Sequence, residues 1–209
     1  MSIATRNLPA PAGMPAALGR RLWRWSVEQY HSLIAGGVLT EDDPVELLEG
    51  WLVAKMPKNP AHRVATQFVR KALEACIPSG WYVDSQEPIT TADSEPEPDV
   101  MVIQGRTEDY LTRHPGPEAV ALVVEVSDST LQTDRTLKKQ LYARAGIPAY
   151  WIVNLGERRV EAFDRPGKVG PRSDYGRRLD HPVEGQIALV IGGVEVAHIP
   201  VQSLLPPLL

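Results

Sequence analysis

The sequence predicts an α/β fold, α+β in its mixing, in which a central mixed β-sheet carries helices on its faces. Three observations point there. Residues 120–126, VALVVEV, form an apolar run broken by one acid, the pattern of a strand covered on both sides. Residues 61–75 place apolar side chains at helical spacing, and 134–145 lie between helix start and stop signals. Short apolar segments bounded by Gly, Pro and Asp lie around those helices, so the two element types alternate.

Residues 1–19 are rich in Ala and Pro without periodicity, and a flexible tail is expected ahead of one domain over 20–209. WRWSVEQYHSLI (23–34) suits a short amphipathic helix, with Ser26 as N-cap and Gly36-Gly37 as its end. VELLEGWLVAKM (45–56) reads as two short strands turning at Glu49-Gly50. Pro57 and Pro60 then lead into the helix 61–75, whose apolar stripe is expected to run through Val64, Phe68 and Leu73. WYVD (81–84) and Val100–Ile103 follow as strands, then Val120–Val126. The next helix is expected from Asp134 to Ala145, capped by Thr133 or Asp134 and stopped by Gly146 and Pro148. YWIVNL (150–155) and RVEAFDR (159–165) make a strand pair, and the remainder reads as strands and loops.

At 209 residues the chain can bury a full core. No apolar run is long enough to span a bilayer, the N-terminus lacks a secretory h-region, and Cys76 stands alone. A cysteine-built zinc site and an intramolecular disulfide are therefore excluded, and a cytoplasmic location is expected. The net charge of −4 gives no overall attraction for a polyanion. Any nucleic-acid surface would be local, with Glu157-Arg158-Arg159 and the basic residues from Arg165 to Arg178 as candidates, though solvated loop charge accounts for them too.

The chemistry concentrates around SEPEPDVMVI (94–103). Pro98 fixes the approach to a strand and removes a ladder donor, which suits a strand's first position and sets Asp99 at its mouth. Glu125 is the lone acid of the apolar strand, on the face shared by Ala121 and Val123. A buried carboxylate needs a cation, a donor or solvent. If the two strands are neighbours, Asp99 and Glu125 converge, and a hard dication, Mg²⁺ or Mn²⁺, would relieve their repulsion. Lys138 lies one helical turn from both Asp134 and Tyr142, placing an ammonium on that face; Lys139 points about 100° away. The plainer alternatives stay open: Asp99 as a turn cap, Glu125 ion-paired to Lys138 as a structural bridge, Asp134 as an N-cap, Tyr142 and Trp151 as core.

Across EPEPDVMVI (95–103) and VVEVSDSTLQTDRTLKKQLYARAGIPAYWIVNL (123–155), with VELLEGWLVAKMPKNPAH (45–62) and SQEPIT (85–90), the chain resembles the Uma2 family, also called DUF820. Its members are described as putative restriction endonucleases of the PD-(D/E)XK nuclease superfamily. The resemblance implies a restriction-endonuclease-like core and a Mg²⁺-dependent endonuclease acting on DNA, with Asp99 and Glu125 as metal ligands. Superfamily members often dimerise, so a homodimer is expected. The superfamily's lysine two residues after the Glu is replaced here by Ser127, and Lys138 matches the place to which the family moves it. Glu46 matches a recurrent family acid that reads as a third metal ligand or as a salt-bridged hairpin acid. His62 matches a family position and reads first as a helix-start residue; it and Gln86 are possible cleft residues. Against the nuclease stands a non-catalytic nucleic-acid-binding or assembly protein that retains the fold, favoured by the acidic charge and by Ser127.

Overall fold

The computed structural model describes residues 22–40, 42–169 and 172–208, so the tail expected over 1–19 lies outside the described residues. Helix α1, Val27–Ala35, starts as expected: the Ser26 hydroxyl accepts from the Gln29 N–H while the Gln29 side chain returns to the Ser26 N–H. Strands β1 (Val45–Leu48) and β2 (Trp51–Ala54) form a hairpin. Its two turn residues, Glu49 and Gly50, have φ of 51° and 80°, the twist that matches paired strands. Glycine is required at position 50, because a Cβ there would lie 2.8 Å from Cβ of Arg24.

Helix α2, Pro60–Glu74, begins with the Asn59 side chain accepting from the His62 N–H and with Pro at its first turn. Its buried face runs through Ala65, Val69 and Leu73; of the expected stripe Leu73 is buried, Phe68 is half-buried and Val64 is exposed. Burying Val69 and Leu73 completely stabilises the fold by about 1.5–3 kcal/mol each. β3 (Trp81–Asp84), β4 (Val100–Gln104), β5 (Val120–Ser127), β6 (Ala149–Asn154), β7 (Arg159–Val169) and β8 (Arg172–Pro182) form one sheet in that spatial order. All its pairings are antiparallel except β5 with β6. That parallel pair is joined by a helix, as a parallel connection requires, and every residue of β5 is buried. β9 (Gln186–Ile191) and β10 (Val194–Pro200) form a separate hairpin, followed by a 3₁₀ turn at Val201–Leu204.

Two apolar layers sandwich the sheet. On one side α2, the β9–β10 hairpin and Leu204 pack on Val100, Val102, Val124 and Val153. On the other, Leu141 and Tyr142 pack on Met101, Val123, Tyr150 and Ile152. The strict alternation expected for β5 fails at one place. The β4–β5 register slips between Val102 and Ile103, leaving Ala121 as the extra residue of a bulge. Ala121 therefore joins Leu122 on the α2 side, while Val120 and Val123 share the other.

The β5–β6 connection is one helix over 131–145, α3. It opens as a short α turn at Leu131–Thr133, winds as a π segment over Asp134–Lys138, and returns to α geometry for Lys139–Ala145. It ends at Gly146, φ 83°, as expected. Its start differs from expectation: the helix begins three residues earlier, and Asp134 lies inside it rather than capping it. The local reason is a polar knot, in which both the Ser127 and Thr130 hydroxyls donate to Asp134 Oδ2. No helix among the described residues is long and apolar enough to cross a membrane.

Candidate active site

Val100 pairs with Val124, and continuing that antiparallel register sets Asp99 opposite Glu125, on the face of Met101 and Val123. Both carboxylates line one cleft of about 250 Å³, bounded by the loop after β2, the start of α2, the ends of β4 and β5, and α3. The bulge lies farther down the strand and does not disturb this end.

Asp99 is held on one side. Its Oδ2 accepts the Val126 N–H at 2.9 Å and lies 3.0 Å from His62 Nε2. Lys58 Nζ stands 3.6 Å from the other oxygen, Oδ1. Burial pushes this carboxyl up, but His62, the Val126 N–H and Lys58 together outweigh burial, so it titrates below its ordinary value.

Glu125 is buried more deeply. Its Oε1 takes both Lys138 Nζ at 3.0 Å and the Tyr142 hydroxyl at 2.8 Å, leaving Oε2 without a hydrogen bond among the described residues. Burial drives this carboxyl up; Lys138 pulls it down, while Asp99, Asp134 and Glu46 push it up again, to about 8. Lys138 is held on its other side by Glu46 Oε1 at 3.5 Å. Burial disfavours the ammonium, yet Glu125, Glu46 and Asp134 more than compensate, and Lys138 stays protonated well above its ordinary value. The π winding of α3 lies where this lysine leaves the helix, a feature common at functional sites.

The remaining candidates sort by geometry. Glu46 lines the same cleft, with Oε2 accepting the Glu97 N–H and Oε1 3.5 Å from the Lys138 ammonium. Among the described residues, no group of three or more His, Cys, Asp or Glu side chains is arranged to hold a metal. His62 starts α2 through its backbone N–H, as expected, but its side chain turns to Asp99, which the sequence did not disclose. Gln86 does not line the cleft; it is exposed in a left-handed turn, φ 62°, with its N–H on Pro98 O. Lys139 faces away, paired with Asp174 and lying over the Phe163 ring. Tyr142 is core, as expected, yet its hydroxyl also serves Glu125. Of the other acids in SEPEPDVMVI (94–103), Glu95 is buried against His31 and Thr90, and Glu97 takes both bonds of Lys55.

The donor set suits a hard dication. Asp99 Oδ1 and Glu125 Oε2 carry no hydrogen bond among the described residues, and the acids crowding Glu125 create a local demand for positive charge. A Mg²⁺ site needs only one or two protein carboxylates when waters and substrate phosphates complete it.

A family model, Uma2, described as "Putative restriction endonuclease", matches residues 27–192. The chain is also similar in structure to "a putative nuclease belonging to DUF820" from Anabaena variabilis ATCC 29413. That likeness has a TM-score of 0.65 at 15% identity, covering 86% of this chain and 96% of that one, and it speaks for the fold. No curated protein matches the chain.

Proposed function

The chain belongs to the Uma2 family, and from that premise we propose that it is an endonuclease hydrolysing DNA phosphodiester bonds with Mg²⁺ or Mn²⁺. The observation that carries this reading is the pairing of Asp99 with Glu125 at adjoining strand ends in one cleft, each with one oxygen free of hydrogen bonds among the described residues, and a buried ammonium at Glu125. Asp99 Oδ1 and Glu125 Oε2 are the atoms that would hold the ion. Bound there, it would lower the pKa of an attacking water and neutralise charge on the scissile phosphate.

His62 and the Val126 N–H fix the rotamer of Asp99, so that Oδ1 is the oxygen presented. Tyr142 and Lys138 do the same for Glu125 by occupying Oε1. Because its acids keep Lys138 protonated, it orients the nucleophilic water and stabilises negative charge, and is not the general base. Glu46 keeps that ammonium in place. Ser127, at the position of the superfamily's usual lysine, serves the replacement indirectly: its hydroxyl anchors Asp134 and with it the helix from which Lys138 projects.

Changing Glu125→Gln keeps the shape and removes the carboxylate that a dication would need. Mg²⁺-dependent cleavage of plasmid DNA is expected to fall by at least about a hundredfold while the circular dichroism spectrum is retained. Full-rate cleavage by that variant overturns the assignment. The competing reading, a non-catalytic nucleic-acid-binding or assembly protein, draws on the net charge of −4 and on Ser127. It gains if calorimetry of the wild-type chain with Mn²⁺ shows no binding and no cleavage appears at any pH.

A further inference from the structure

Three lysines line the cleft, and their partners differ. Lys138 is enclosed, with a side chain 12% exposed and a 3.0 Å bond to Glu125. Lys55 makes two bonds to Glu97, at 2.9 and 2.8 Å. Lys58 has no hydrogen-bonded partner among the described residues. Its ammonium lies 3.6 Å from Asp99 Oδ1 on a side chain 40% exposed, too far for a hydrogen bond and half in water. The backbone beneath it is pinned, because Asn59 caps α2 through Oδ1 and donates to Asp128 from Nδ2. The freedom is therefore in the lysine side chain, whose flexible stem carries a point charge over several ångströms.

We propose that Lys58 is an exchangeable cation: it neutralises Asp99 Oδ1 while the site is metal-free, and passes to a DNA phosphate once a dication takes that oxygen. The inference rests on the metal reading of Asp99 and Glu125. The oxygen that Lys58 faces is the one His62 and Val126 leave open, so lysine and dication compete for the same atom. A weak, half-solvated ion pair yields readily to a doubly charged ion. Once released at the mouth of a cleft that Glu46, Glu97, Asp128 and Asp134 also line, the ammonium offers an approaching polyanion a cation that is not already bound.

The test compares full-length Lys58→Met with Lys71→Met, which removes the same charge from the exposed far end of α2. Calorimetry with Mn²⁺ and no DNA reads the competition: Lys58→Met is expected to bind about threefold tighter than wild type. Anisotropy of a fluorescein-labelled duplex in Ca²⁺ reads the capture. There Lys58→Met is expected to bind more weakly, with a salt slope shallower by about 0.9. Lys71→Met moves neither. Opposite movements of metal and DNA affinity support the exchange; changes in the same direction, or none, overturn it. If the wild type binds Mn²⁺ and Lys58→Met binds it equally, the exchange alone fails. If the wild type binds none, the metal reading and the exchange fall together.

Discussion

Replacing Lys138 with Met removes the one ammonium between Glu125 at 3.0 Å and Glu46 at 3.5 Å, and leaves those acids with Asp134 in a buried pocket. Above about pH 8, where Glu125 is ionised, removing one partner of this buried ion pair costs about 3–5 kcal/mol, because the remaining charge loses its compensation. For a chain of this length that corresponds to a fall in Tm of roughly 10 °C. The size of the fall should depend on pH. Glu125 already holds its proton up to about pH 8, and losing Lys138, which pulls its pKa down, extends that range upward. A protonated Glu125 is no bare charge, so the loss should be smaller near about pH 6 and largest near about pH 9. Glu125→Gln in the same chain removes the stranded carboxylate, and the double variant should regain about 1–3 kcal/mol relative to additivity. Thermal unfolding followed by circular dichroism measures all of this. A Tm loss under about 3 °C at about pH 9, or one identical at both pH values, would mean that Lys138 is solvated rather than enclosed, and would refute the argument.

Stability of the metal-free chain should fall as pH rises. Glu125 ionises near 4.5 when unfolded but near 8 when folded, so through that window the folded state keeps a proton the unfolded chain has released. Scanning calorimetry should show this slope flattened in Glu125→Gln, and Mn²⁺ should raise the wild-type Tm more at about pH 8 than at about pH 6. Gly50→Ala should cost about 1–3 kcal/mol in urea unfolding, since a Cβ at φ 80° meets Arg24 at 2.8 Å and Trp25 O at 3.0 Å. Gly37→Ala, at φ 69° with nothing within 4 Å, should cost less.

The residues that announced themselves in the sequence did so through short-range rules. Pro98 pinned Asp99 at a strand mouth, and a lone acid in an apolar run marked Glu125, so period-two alternation put both on one face. Helical spacing put Lys138 and Tyr142 on one side of α3, and both reach Glu125 Oε1. What stayed hidden depends on partners distant in the chain. The His62 ring meets Asp99 and Glu46 meets Lys138 only because the sheet and the β1–β2 hairpin fold over the same cleft. Nothing local to His62 distinguishes a ring turned to solvent from one turned to an acid. The bulge at Ala121 was equally silent, since alanine fits either apolar layer and no glycine or proline marks the irregularity. The early helix start follows from a contest the sequence displays without resolving: Asp134 reads as a cap, but hydroxyls from Ser127 and Thr130 claim its carboxylate inside the helix.

The most direct test of the account is anomalous scattering from a crystal of the protein soaked in Mn²⁺. A single peak within about 2.3 Å of both Asp99 Oδ1 and Glu125 Oε2, with the Lys138 ammonium beside it and unliganded, is the expected result. An empty cleft, or a peak bound elsewhere while those two carboxylates keep only their protein partners, would contradict it.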